Sequence, residues 1–91
     1  MIQLSGPVGT RAQDIAKAFG LLVRSHRQAM NLSQDQLALL TGVGRRFIID
    51  LEAGKPSCQL GRSLLVAREL RLDLADMLRA SRLGAQEQTG G

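Results

Sequence analysis

The chain has 91 residues, a formal net charge of +4 and a pI of about 10.6, which suits one small domain and a polyanionic partner, nucleic acid being the commonest. It lacks Trp and Tyr and has only Phe19 and Phe47 as aromatics, so its core must be Leu, Ile, Val and Ala, as in a small helical bundle. Cys58 is the only cysteine, which excludes an internal disulfide or a cysteine-based zinc site and fits a reducing cytoplasm.

Residues 1–12 carry Gly6, Pro7 and Gly9 and read as a flexible arm. No charged start with a long apolar run marks a signal peptide, and no apolar segment reaches a membrane-spanning length, so no membrane role is expected. A first helix is predicted from about Gln13 to Ala29, because Ile15, Ala18, Phe19, Leu22 and Val23 recur at helical spacing. Arg24 and Arg27 stand near its end, where cations suit the helix dipole. His26 reads as a surface residue, since it has no second metal ligand and no nucleophile to serve.

A second helix is predicted over Ser33–Thr41. Ser33 with Gln36 three residues on is a capping-box pattern. Gln34 opens the helix, at an end whose free N–H groups attract anions. Gly42 supplies the positive φ of a sharp turn, and Ala38 is small enough to let the next helix cross closely. A third helix lies within Val43–Ala53, with Phe47, Ile48 and Leu51 facing the core and Arg45, Arg46, Ile49 and Asp50 facing out. A helix, a glycine turn and a crossing helix make a helix-turn-helix, whose second helix is built to enter the DNA major groove. Two arginines at a helix N-terminus oppose its dipole, a small cost that an incoming anion removes, and arginine fits guanine O6 and N7 in a bidentate manner. The bland reading of the pair is two solubilising charges. Asp50, one turn beyond Arg46, is placed to orient that guanidinium or to accept from a cytosine amino group. Gly54 and Pro56 stop the helix, and Lys55 between them reads either as a phosphate contact or as an exposed loop lysine.

Leu60–Leu70 is predicted as a fourth helix, with Leu60, Leu64, Leu65, Ala67 and Leu70 as its apolar stripe. Over residues 72–78 two patterns compete. Leu70, Leu72 and Leu74 alternate as in a strand, whereas Asp73 and Asp76 make a helix start and Leu74, Met77 and Leu78 share a helical face, which favours a fifth helix from Leu74 to Arg82. On either pattern Leu70, Leu72, Leu74, Met77 and Leu78 are the expected dimer interface. Residues 83–91 form a polar, glycine-containing tail expected to be disordered, leaving residues 13–82 as the domain. No phosphate-binding glycine loop, no metal-spaced cluster and no catalytic constellation is present, so neither an enzyme nor a cofactor is expected.

The run LSQDQLALLTGVGRRFIIDLEAGKP resembles the phage-repressor-type (Xre/Cro) helix-turn-helix family, over roughly residues 14–75, and GKPSCQLGRSLLV resembles its HipB-type antitoxin branch. The resemblance implies an all-α, lambda-repressor-like bundle of four to five short helices, with a short C-terminal strand at the dimer interface as the HipB-like variant. It implies that Arg27 pairs with Glu52, and that Gln34 holds the DNA backbone beside the recognition helix. Gly44 stands where the family usually has Ser or Thr capping the recognition helix, so no side-chain acceptor is available there. Asn31 replaces a common Gly but tolerates the left-handed conformation. The function implied is a cytoplasmic, nucleoid-associated repressor acting as a homodimer on a palindromic operator of double-stranded DNA. Its contacts would come from Gln34, Gly44, Arg45, Arg46, Ile49, Asp50 and Lys55, and a HipA-like kinase toxin is implied as a second partner. A stand-alone phage-type repressor and a protein-interaction adaptor without specific DNA binding are the alternative readings.

Overall fold

A computed structural model describes residues 5–73 and 75, with side chains from residue 12 onward. Four helices follow one another: α1 (Ser5–Ala29), α2 (Gln34–Thr41), α3 (Arg45–Glu52) and α4 (Leu60–Glu69), and the described residues contain no strand. The all-α bundle expected from the composition is what the chain forms. α3 lies against α1 and α2, and α4 packs on α2.

α1 begins earlier than its apolar periodicity indicates. Residues 5–12, read as part of a flexible arm, belong to the helix. Pro7 sits in its first turn, where a missing N–H costs nothing and the fixed φ suits helix geometry. α1 ends in a turn through Asn31 at φ 59, with Leu32 N donating to Arg27 O at 3.1 Å.

α2 starts on a complete capping box. Gln36 N donates to Ser33 Oγ at 3.0 Å, and Ser33 N donates to Gln36 Oε1 at 2.7 Å, so two otherwise orphaned donors are satisfied. The helix ends at Gly42, whose φ of 78 lets its N–H reach Ala38 O at 2.9 Å. A side chain there would be strained in the left-handed region.

The core is aliphatic. Val23 from α1, Leu37 from α2, Ile48 from α3, and Val66 and Leu70 from α4 and its end are completely or almost completely buried. Each contributes roughly 1.5–3 kcal/mol of transfer free energy. Phe19 and Phe47 pack against this cluster half-buried. Gly20 makes the α1–α3 crossing possible: a Cβ on it would lie 2.5 Å from Leu51 O and 2.8 Å from Glu52 O. Backbone cannot retreat from such a contact as a flexible side chain can.

α4 differs from its expected stripe. Its inner face is Ser63, Val66, Ala67 and Leu70, whereas Leu60 and Leu64 are exposed. These two edge a groove with Ile15 and Phe19 of α1. Ala67 and Leu70 of the expected stripe are buried and Leu65 packs partly against the core, but Ser63 and Val66 take the inner positions expected of Leu60 and Leu64, Ser63 donating its hydroxyl to Gln59 O at 2.8 Å. Leu70 and Leu72, expected at a dimer interface, are buried within the chain's own core at 2 % and 9 % exposure. Leu70 is buried as the end of the inner face of α4; Arg71 then takes φ 60 and Leu72 N reaches back to Ala67 O at 2.8 Å, which turns Leu72 inward beside it. The fifth helix expected from Leu74 to Arg82, the interface residues Leu74, Met77 and Leu78, and the tail 83–91 fall outside the described residues, of which only residue 75 lies in that stretch.

Candidate nucleic-acid interface

α3 is held by its inner face and free on its outer one. Ile48 and Leu51 are buried, Arg45 and Arg46 are exposed, and Ile49 and Asp50 are half-buried at the boundary. Gly44 is the N-cap, with extended backbone (φ −75, ψ 156) and no side-chain cap bond. The first N–H groups of α3 therefore carry no side-chain acceptor at this cap. Both arginines project from the positive end of the helix dipole, an arrangement that repels them and attracts an anion.

The structure pairs each outward cation with a carboxylate. Arg45 Nε lies 2.9 Å from Asp35 Oδ1 on α2. Arg46 Nε lies 3.4 Å from Asp50 Oδ1, one turn along α3. Lys55 Nζ, in the loop after α3, lies 3.7 Å from Asp50 Oδ2. Asp50 is thus shared by two cations, with only 22 % of its side chain exposed, while Arg45, Arg46 and Lys55 remain largely in water. Pairs as exposed as Arg45–Asp35 are weak and screened by salt.

Behind this face lies a buried polar knot. Arg27 Nε donates to Glu52 Oε2 at 2.6 Å, and Arg27 Nη2 donates to Glu52 Oε1 at 3.0 Å. The remaining nitrogen, Nη1, donates to Leu32 O at 2.8 Å. Gln34 Nε2 also donates to Glu52 Oε1, at 3.1 Å. The ion-paired side chains are 11 % and 5 % exposed, and no buried polar side-chain atom among the described residues lacks a partner. The bidentate bond to Glu52 holds the Arg27 pKa above its ordinary value, outweighing the opposing effect of burial, so this guanidinium is charged wherever the protein is folded. The knot joins the end of α1, the start of α2 and the end of α3 at one point. Gln34, at the α2 N-terminus, is anchored to it rather than left free.

Two residues of this region escaped the reading of the sequence alone. Asp35 contacts Arg45 across two helices, and a separation of ten positions carries no local signal. Arg24 lines an open polar hollow with Gln34, Ile49, Glu52 and Ala53 beside the outer edge of α3; its only sequence signal is its place near the end of α1. His26, by contrast, makes a local contact, with Nδ1 3.0 Å from Leu22 O. Among the described residues no group of three His, Cys, Asp or Glu is placed to hold a metal, and no helix is long and apolar enough to cross a membrane.

Comparison with known proteins agrees with this geometry. Residues 23–77 match the helix-turn-helix family model, a span that contains α2, the turn and α3. The chain is 57 % identical over 51 residues to an uncharacterized HTH-type transcriptional regulator, y4mF, of Sinorhizobium fredii (strain NBRC 101917 / NGR234), covering 56 % of this chain and 67 % of that protein. It is 31 % identical over 77 residues to the control protein C.SmaI of Serratia marcescens, covering 85 % and 89 % respectively. No solved structure matches the chain significantly. The matched model, these relatives and the crossing of α2 and α3 agree: the chain belongs to the Xre-like helix-turn-helix family of DNA-binding transcriptional regulators.

Proposed function

We propose that this protein is a sequence-specific repressor that binds a palindromic operator as a homodimer, in the cytoplasm, with α3 as its recognition helix. The observation that carries the reading is the outer face of α3: two exposed arginines at the uncapped, dipole-positive end of a helix whose opposite face is buried. Such a helix gains from an anionic groove what it lacks in the free protein. Arg45 and Arg46 reach base edges, Ile49 and Asp50 line the contact, and Lys55 meets a phosphate. Gly44 keeps the helix end open to close approach, and Gln34 braces the backbone-facing edge. The two recognition helices of the dimer then read half-sites about one helical turn apart, ~34–36 Å, with Leu74, Met77 and Leu78 as the contact between protomers. Selection of bound duplexes from a random pool tests the reading. A two-fold symmetric consensus with that spacing is the expected result, and a pool that shows no enrichment refutes it.

A narrower reading rests on the resemblance of GKPSCQLGRSLLV to HipB-type antitoxins, whose loop and helix correspond to residues 54–66 here. On it, the repressor is the antitoxin of a HipA-like kinase toxin and represses its own operon. The matched relatives are a transcriptional regulator and a control protein, and neither name mentions a toxin. Co-expression with the product of the neighbouring gene, followed by co-purification, decides it: a stable complex with a kinase-like protein supports the antitoxin, and its absence leaves the stand-alone repressor.

A further inference from the structure

The contact between Asp35 on α2 and Arg45 on α3, made at the dipole-positive end of a recognition helix that has no side-chain cap, carries an inference about specificity. We propose that Asp35 is a specificity-determining residue that competes with DNA for Arg45 and releases it only to a base edge. The inference rests on the DNA-binding reading above.

The argument starts from what Arg45 lacks. It is the first residue of α3, where a cation is repelled by the helix dipole, and Gly44 before it offers no acceptor. Asp35 supplies the missing anion. Its own position is favourable without Arg45, because it lies in the first turn of α2, where a carboxylate suits the dipole. The carboxylate is therefore favourably placed whether or not Arg45 is present. Both side chains are mostly in water, 62 % and 70 % exposed, so the pair is weak enough to open.

On duplex without the operator sequence, two effects favour the closed pair over a phosphate contact. The carboxylate is already 2.9 Å from the guanidinium, and its charge repels any phosphate that would replace it. Arg45 then neutralises no phosphate and releases no counterion. On the operator a guanine offers two uncharged acceptors in bidentate geometry, which Asp35 does not repel and a backbone phosphate cannot imitate. The latch subtracts from non-specific binding and leaves specific binding nearly whole. Asp50, shared between Arg46 and Lys55 at 3.4 and 3.7 Å, lies in α3 itself, on the same element as Arg46 and next to the loop that carries Lys55. Asp35 is on a different element and holds Arg45 from outside the recognition helix.

The test compares the parent, Asp35→Asn, Arg45→Gln and the double variant. Each is titrated with a labelled random-sequence duplex and with an operator obtained by selection, over a range of salt. For Asp35→Asn, one more counterion released means random-duplex affinity about eightfold higher at about 0.1 M salt, and a plot of log affinity against log salt steeper by about 0.9. Operator affinity should rise by less, so discrimination falls. With Arg45→Gln already present, Asp35→Asn should change both titrations much less than it does in the parent, by no more than the loss of one repulsive charge. The proposal is overturned if Asp35→Asn acts equally on both duplexes or equally with and without Arg45, since a general charge effect then suffices. It is also overturned if the variant loses stability and operator binding together, since the pair is then a structural tie. A parent that binds neither duplex removes the DNA-binding reading and the latch with it, whereas a parent that discriminates while Asp35→Asn changes nothing removes the latch alone.

Discussion

Removing the Glu52 carboxylate should unfold this protein under conditions the parent tolerates. Glu52→Ala deletes an acceptor used by three donors: Arg27 Nε at 2.6 Å, Arg27 Nη2 at 3.0 Å and Gln34 Nε2 at 3.1 Å. The guanidinium left behind is 11 % exposed and keeps one partner, Leu32 O. A charge stranded at such depth costs roughly 3–5 kcal/mol, even though the net value of the intact pair over an apolar replacement is small. A domain of this size has about 5–15 kcal/mol of stability in all, and each kcal/mol moves its Tm by roughly 4–8 °C. The expected fall in Tm is therefore on the order of 12–40 °C. Far-UV circular dichroism during urea or thermal unfolding is the suitable assay, because the chain has no tryptophan and a fluorescence probe is lacking. Two controls separate the causes. Glu52→Gln keeps an acceptor oxygen and should lose less than Glu52→Ala. Arg27→Met combined with Glu52→Leu removes both charges and should recover much of the loss. A Glu52→Ala variant that melts with the parent would refute the reasoning, as would a double variant no better than the single one.

Three further outcomes follow from local geometry. Gly20→Ala places a methyl group 2.5 Å from Leu51 O, so α1 and α3 must separate; a loss of about 1–3 kcal/mol should appear in the urea midpoint, and an unchanged midpoint would contradict the close crossing. Ser33→Ala removes the Oγ that caps α2 and should cost about 0.5–2 kcal/mol in the same assay, whereas Ser33→Asp should restore most of it. Burial and the nearby Asp50 carboxylate push the Cys58 thiol up, against the smaller opposing effect of Lys55. Alkylation by iodoacetamide at neutral pH should therefore be slower than for free cysteine, rise only at more alkaline pH, and quicken in Asp50→Asn; alkylation as fast as that of free cysteine would contradict it.

The features legible in the sequence are those whose partners lie within a turn or two. The Ser33–Gln36 capping box, the left-handed Asn31 and the Gly42 turn depend on neighbours three or four positions away, and a linear pattern records such neighbours. The 3.6-residue period places Ile48 and Leu51 inside and Arg45 and Arg46 outside, while Phe47, expected in the core, and Ile49 and Asp50, expected outside, are half-buried between them. What the sequence hid is non-local or permissive. Pro7 reads as a helix breaker, yet a first-turn proline breaks nothing. Leu60 and Leu64 are as apolar as Val66, and only the packing of α4 on α2 decides which of them is covered. Leu70 and Leu72 alternate like a strand, yet Leu70 completes the inner face of α4 and the left-handed Arg71 then folds Leu72 in beside it. Gly20 carries no pattern, because its reason is the backbone of α3 lying against it. The Arg45–Asp35 pair likewise requires α2 and α3 to be placed before it can be seen.

The central claim, that the exposed edge of α3 reads DNA, is tested most directly by the operator affinity of Arg45→Ala with Arg46→Ala, measured by gel-shift titration beside the parent. Both side chains are exposed and neither belongs to the core, so helical content and the unfolding midpoint should stay with the parent. Operator affinity should fall by about 1–3 kcal/mol for each bidentate arginine–guanine pairing that the substitutions remove, roughly 5- to 150-fold. A folded double variant that binds the operator as tightly as the parent would contradict the account.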